Sequence, residues 1–329
     1  MSDFLINLLV ILAGILMIGI VAIASRYRRE IQAARRRVDS LGSQVIETAC
    51  GQIEYARVGE GDPVLVVHGA MGGFDQGLWL ARGYSLINYQ VISVSRFGYL
   101  RSPVPPGADL DLQADAFAGL LDALEIQQAA VFAVSAGSTS AIRFAARHPE
   151  RVSALVLLSP DAPGKSQMAM PPRFVFDALL RSDFLYWAMV TLFGRWLQYA
   201  IGLAPRGYAL TPEHEALIKT IQLGDLPVSR RVEGMIFETY TILSEYNASV
   251  TSASPYPLNQ IETPVLVIHA AGDPIAIPEN VRRLANQMPN ARQFFAPDGG
   301  HLLLGHTAEV KAEIAQFLRS HAAELQNDQ

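Results

Sequence analysis

The chain has 329 residues, half of them hydrophobic, with 31 acidic against 26 basic side chains and a net charge of −5. That balance leaves no broad cationic face for nucleic acid, and the single cysteine, Cys50, excludes an intramolecular disulfide. No internal repeat or low-complexity tract is present, and removing an N-terminal segment leaves about 280 residues, the size of one large α/β domain with an insertion.

Near the N-terminus lies a run of 21 uncharged residues, Phe4 to Ala24, in which Asn7 is the one clearly polar member. As a helix this run is roughly 30 Å long, the thickness of a bilayer core. It predicts a single transmembrane helix over 4–24. Arg26, Arg28, Arg29, Arg35, Arg36 and Arg37 follow it, while only Asp3 and the terminal amine precede it. The positive-inside rule then places the N-terminus outside and the main domain on the cytoplasmic side. The rival reading is a cleaved signal peptide ending at Ala22-Ile23-Ala24, but the basic leader is missing and the apolar run is long for one. Residues 25–43 read as a basic juxtamembrane helix, either touching anionic lipid or serving as a solvated linker.

Beyond it, strands and helices alternate. Val45–Ala49 and Ile53–Val58 read as a hairpin turning at Cys50-Gly51-Gln52. Pro63–Val67 is a continuous apolar run, as expected of a strand buried on both faces. Gln90–Val94, Ala129–Val134, Ala154–Leu158, Pro264–His269 and Ala291–Phe295 complete the strands. Asp111–Leu124, Thr139–Arg147 and Glu309–Ala322 have helical spacing. Parallel strands with crossover helices make a doubly wound sheet whose ligands sit at the carboxyl ends of its strands.

The reactive-looking side chains fall at those ends. Val131 to Ser138 reads Val-Phe-Ala-Val-Ser-Ala-Gly-Ser, a strand delivering Ser135 into a turn of small residues before a helix. This is the context of a Gly-x-Ser-x-Gly nucleophile elbow, with Ala133 in place of the first glycine. A serine nucleophile needs a base and the base an orienting acid, here in the order Ser…Asp…His. His301, after the last strand, is the expected base and His306 its runner-up. Asp273 in Gly272-Asp273-Pro274 is the expected acid and Asp161 its alternative. The loop His68-Gly69-Ala70-Met71-Gly72-Gly73 is expected to aim backbone N–H groups at an oxyanion. Ala136 supplies one donor; Ala70 supplies the other, or Met71 if the loop is shifted by one. No metal-binding spacing is evident, and a serine triad needs neither metal nor cofactor.

These residues resemble the α/β-hydrolase family from about Val45 to His321. The resemblance rests on the His68-Gly69 loop, the Ser135 elbow, Arg147-His148-Pro149-Glu150-Arg151-Val152 before a strand, Gly272-Asp273 and Gly300-His301. It implies an α/β-hydrolase core over 44–161 and 259–323, with a helical cap inserted at 162–258. It also implies that His68 is structural, and a serine at the elbow argues against the family's aspartate-nucleophile branches. The cap is rich in large apolar residues, so Phe184 and Trp187 are candidate substrate contacts. Arg96 is a candidate for binding a substrate carboxylate, against a role in loop structure. The expected activity is hydrolysis of a small apolar carboxylic ester beside a membrane. Alternatives on the same triad are a proline-iminopeptidase-type peptidase, a carbon–carbon hydrolase and a cofactor-free haloperoxidase-like enzyme. Alternatives of another class are a non-catalytic small-ligand receptor and a membrane-tethered interaction protein.

Overall fold

The computed structural model describes residues 3–164, 172–242 and 258–327, so parts of the expected cap, 165–171 and 243–257, lie outside the described residues. Apolar runs bounded by turn residues form eight strands: β1 (Gln44–Thr48), β2 (Gly51–Val58), β3 (Pro63–Val67), β4 (Gln90–Val94), β5 (Ala129–Val134), β6 (Val152–Leu158), β7 (Val265–Ala270) and β8 (Ala291–Ala296). They make one sheet in the order β1-β2-β4-β3-β5-β6-β7-β8. β1 and β2 are a hairpin and β2 runs antiparallel to β4; the remaining pairs are parallel. The hairpin turns one residue earlier than the sequence suggests, because Thr48 already pairs with Gly51.

Register places the loops. Val67 lies beside Val94 and Ala133, Ala133 beside Leu157, and Leu157 beside Val267. The carboxyl ends of these strands are therefore level, and the loops after them emerge along one edge. Strand side chains alternate between faces. Val131 and Ala133 join one core cluster with Phe117, Leu121, Phe144 and Leu284, while Phe132 joins the other with Phe74, Leu78, Ile314 and Phe317. The first face is covered by helices α3 (Leu110–Ala123), α4 (Gly137–Arg147) and α9 (Pro278–Asn286). The second is covered by α2 (Phe74–Gly83) and α10 (Thr307–Asn327).

Between β6 and β7 lies a helical insertion: α5 (Arg173–Leu180), α6 (Asp183–Ala200), α7 (Pro212–Gly224) and α8 (Val232–Phe237), which continues as a π turn over Glu238–Ile242. Ser182 caps α6 by accepting from the Leu185 amide, and Thr211 with His214 forms a reciprocal cap on α7.

The N-terminal helix, α1 (Asp3–Asp39), is one continuous element. Its first half is long and apolar enough to cross a membrane. The basic second half is not a separate juxtamembrane segment. Tyr27, Ile31, Ala34 and Val38 recur at helical spacing, and the last three are buried against the rest of the molecule. Arg35 pairs with Asp183 at 3.2 Å. Arg37 pairs with Asp75 at 2.8 Å and donates to the carbonyls of Gly224 and Leu226. These two arginines, though partly exposed, are therefore tied to the insertion and to α2.

Candidate active site

Ser135, the first residue after β5, is left-handed, φ +51°, which lifts its hydroxyl above the sheet edge. Its amide donates to the Leu158 carbonyl at 2.9 Å. The turn closes only because residue 137 has no side chain: a Cβ there would lie 2.3 Å from the His68 carbonyl oxygen. The extra methyl of Ala133 is accommodated in the core below the turn.

His301 sits in a short 3-10 turn between Gly299 and Leu303, both left-handed. Its Nε2 is 3.0 Å from Ser135 Oγ and its Nδ1 2.8 Å from Asp273 Oδ2. The other carboxylate oxygen of Asp273 accepts the amides of Ile275 and Ala276 at 2.8 and 3.0 Å, which fixes its orientation. Sequence reasoning missed Ser159, whose hydroxyl donates to the His301 carbonyl at 2.8 Å from the end of β6. Its position at a strand's carboxyl end was the available signal. His306 is bound to Asp298 and Glu309 at 2.7 and 2.6 Å and does not join the cluster.

Burial, the largest influence on His301, disfavours its charge. The Asp273 carboxylate and its hydrogen bond, with Asp161 adding to them, outweigh that and hold the imidazole above the usual histidine value. Asp161 is pushed up to about 6, first by burial and then by the charge of Glu238. His269, behind Asp273 at 3.8 Å, is pushed down to about 4, chiefly by burial, and stays neutral.

Opposite Ser135 runs the glycine-rich loop; a Cβ on Gly69 would approach Ser135 Cβ to 3.3 Å. Among the described residues the amides of Ala70 and Ala136 have no acceptor, whereas the Met71 amide donates to Met235 Sδ at 3.3 Å. Between the two loop positions left open by the sequence, Ala70 is thus the one whose N–H is free for an oxyanion. His68 is fully buried. Its Nε2 accepts the Arg96 amide at 3.0 Å, which leaves its Nδ1 to donate to the Gly69 carbonyl at 2.7 Å. Burial, with Arg96 nearby, keeps it well below its ordinary pKa.

The three expected substrate contacts are engaged elsewhere. Arg96 is buried; its Nη2 donates to the Gly69 carbonyl at 3.0 Å and to Glu238 at 2.8 Å. It supports the loop, and Glu238 neutralises it. Trp187 packs on Tyr27 and donates from Nε1 to Glu30 at 2.6 Å. Phe184 packs edge-on against Tyr27, 5.2 Å between ring centres. Both aromatic side chains therefore join the insertion to α1. Glu238, Met235 and Arg231 went unnoticed in the sequence. Arg231 is buried, forks onto Asp75 at 3.0 and 2.8 Å and donates to the Gly72 carbonyl. The insertion thus grips the glycine-rich loop directly through Met235 and Arg231, and indirectly through Glu238 by way of Arg96. Gly234 and Gly98 let the backbones meet: a Cβ on Gly98 would lie 2.3 Å from the Gly234 nitrogen. Among the described residues no group of three or more His, Cys, Asp or Glu side chains is placed to hold a metal ion.

A serine on a tight strand-to-helix turn, a histidine between it and a carboxylate, and two open amides beside the serine lie together at the carboxyl edge of the sheet. Residues 62–305 match the family described as the alpha/beta hydrolase fold, and the chain belongs to that family. It is similar to the uncharacterized hydrolase YcgS of Bacillus subtilis, 38% identical over 112 residues, 33% of this chain and 38% of that one. It is also similar to 2-hydroxy-6-oxo-6-phenylhexa-2,4-dienoate hydrolase of Comamonas testosteroni, 34% identical over 131 residues, 36% of this chain and 44% of that one. The matched segments span less than half the length of these two relatives. Among solved structures, an alpha/beta hydrolase fold protein from Nakamurella multipartita is 29% identical, with a TM-score of 0.67 over 84% of this chain and 99% of its own. These likenesses establish the fold family of the chain.

Proposed function

We propose that the chain hydrolyses carboxylic esters through an acyl-enzyme on Ser135. His301 takes the hydroxyl proton as Ser135 attacks the carbonyl, and Asp273 orients the imidazole and stabilises its charged form. The amides of Ala70 and Ala136 receive the oxyanion. His301 then activates water to release the acid. The observation that carries the reading is the unbroken hydrogen-bond line from Ser135 through His301 to Asp273. The test is labelling of the full chain with a fluorophosphonate, followed by turnover of an ester panel. Ser135→Ala should abolish labelling and lower kcat by about 10^4-fold or more. Near wild-type turnover by that variant would exclude the mechanism.

The Comamonas testosteroni relative favours a second reading, hydrolysis of a carbon–carbon bond in an oxo-dienoate. Such substrates carry carboxylates and would be met by an unpaired cation. The two buried arginines at the glycine-rich loop are each matched by a carboxylate, Arg96 by Glu238 and Arg231 by Asp75. That pairing supports a neutral ester as the better fit. Identification of the products from both substrate classes separates the two readings.

We also propose that residues 4–24 of α1 anchor the enzyme, with the catalytic domain on the cytoplasmic side by the positive-inside rule. The docking of residues 27–38 on the insertion supports an anchor held rigidly against the domain.

A further inference from the structure

α6 is apolar on both sides. Its inner face, with Tyr186, Trp187, Val190 and Leu197, is buried. Its outer face presents Leu185, Leu192, Phe193 and Trp196, which are 48%, 71%, 58% and 68% exposed. Their spacing puts them on one side of the helix. A helix apolar all round belongs where both sides are out of water, and a continuous exposed apolar face marks an interaction surface.

α1 indicates what covers that face. The contacts between the two helices run antiparallel: Asp183 meets Arg35 at 3.2 Å, while Trp187 meets Glu30 at 2.6 Å and lies under Arg26 at 5.9 Å. Beyond Trp187, α6 therefore heads towards the apolar end of α1. The apolar run ends at Ala24, about 4.5 Å along the axis from Tyr27, and Tyr27 packs on both Phe184 and Trp187. Leu192, Phe193 and Trp196 lie roughly one to three turns further along α6, on the side of the span. Arg28 and Arg29 are exposed just past the end of that span, where anionic headgroups would lie.

We propose that the outer face of α6 lies in the boundary region of the same bilayer that α1 enters, with Leu192, Phe193 and Trp196 among the headgroups and upper acyl chains. Trp, Phe and Leu on the lipid-facing side are what an interfacial helix presents, and here the basic flank is supplied by Arg28 and Arg29 of α1. The inference rests on the anchor reading of α1. It makes the membrane the partner of the insertion as well as of the N-terminus.

The test uses the full chain with Cys50→Ser and one new cysteine at a time, carrying an environment-sensitive fluorophore. The labelled protein is reconstituted at one copy per nanodisc of phosphatidylcholine and phosphatidylglycerol, with and without spin-labelled lipid. Labels at Leu192→Cys and Phe193→Cys should emit at shorter wavelength than in water and be quenched by the spin-labelled lipid. A label at Glu279→Cys on α9 should do neither, and one at Ile15→Cys reports the anchor. If Ile15→Cys is quenched while positions 192 and 193 remain in water, the inference fails and the anchor stands. If Ile15→Cys is not quenched, the anchor reading fails and the inference with it. A blue-shifted but unquenched label at 193 would mean that protein covers the face and would overturn the lipid assignment.

Discussion

At the turn after β5 the backbone strain and the chemistry share one residue. Ser135 is held at φ +51°, a conformation that costs a non-glycine residue free energy and persists only where its surroundings enforce it. Gly137 is part of that enforcement. Gly137→Ala would drive a methyl into the His68 carbonyl, and since backbone must move, a loss of about 1–3 kcal/mol is expected. Thermal unfolding measures it, and esterase turnover should fall with it. The histidine makes a second prediction. Only neutral His301 can accept the serine proton, and its pKa is raised, so kcat/KM should fall as pH drops through a value above the usual histidine range. Asp161 helps hold the proton on His301. Asp161→Asn should therefore lower the pKa and move the acid limb to lower pH, whereas an unmoved limb would show that Asp161 is electrostatically silent. Ser135, Asp273 and His301 could be picked from the sequence because each follows a recognisable apolar run. The loop role of Arg96 is one of its two readings, but its partner could not be read, because Glu238 lies 142 positions away.

Among the elements, α8 with its π turn couples the insertion to the glycine-rich loop. π turns cluster at functional sites because they re-aim side chains within a helix. Here the turn begins at Glu238, which accepts from Arg96 and from the Tyr99 hydroxyl. Glu238→Ala would leave the Arg96 guanidinium buried without its counter-charge, at an expected cost of about 3–5 kcal/mol. Because Arg96 also holds the Gly69 carbonyl, the variant should lose kcat by more than it raises KM; Glu238→Gln, which keeps an acceptor, should lose less. Denaturation and steady-state ester hydrolysis read the two effects separately. Similar losses in both variants would assign Glu238 to charge alone.

For the whole molecule, α1 is a strut along the insertion and, on the anchor reading, the span as well. Its apolar half is exposed from Phe4 to Ile23, and its basic half is tied to the insertion and to α2. An enzyme held this way should stay in the membrane fraction through high salt and alkaline carbonate. Release by salt alone would indicate a peripheral contact and remove the anchor. The sequence by itself determined the strand pattern, the order of the reactive residues along the sheet edge and the length of the apolar run. These are local properties, set by side-chain period and by what each turn can sterically hold. Only the tertiary structure decided that Trp187 serves Glu30, that Arg96 belongs to Glu238, that Arg37 reaches Asp75 and that Met235 occupies the Met71 amide. Each of these pairs joins distant parts of the chain, and no spacing rule records which buried charge or aromatic ring will meet which when the layers close.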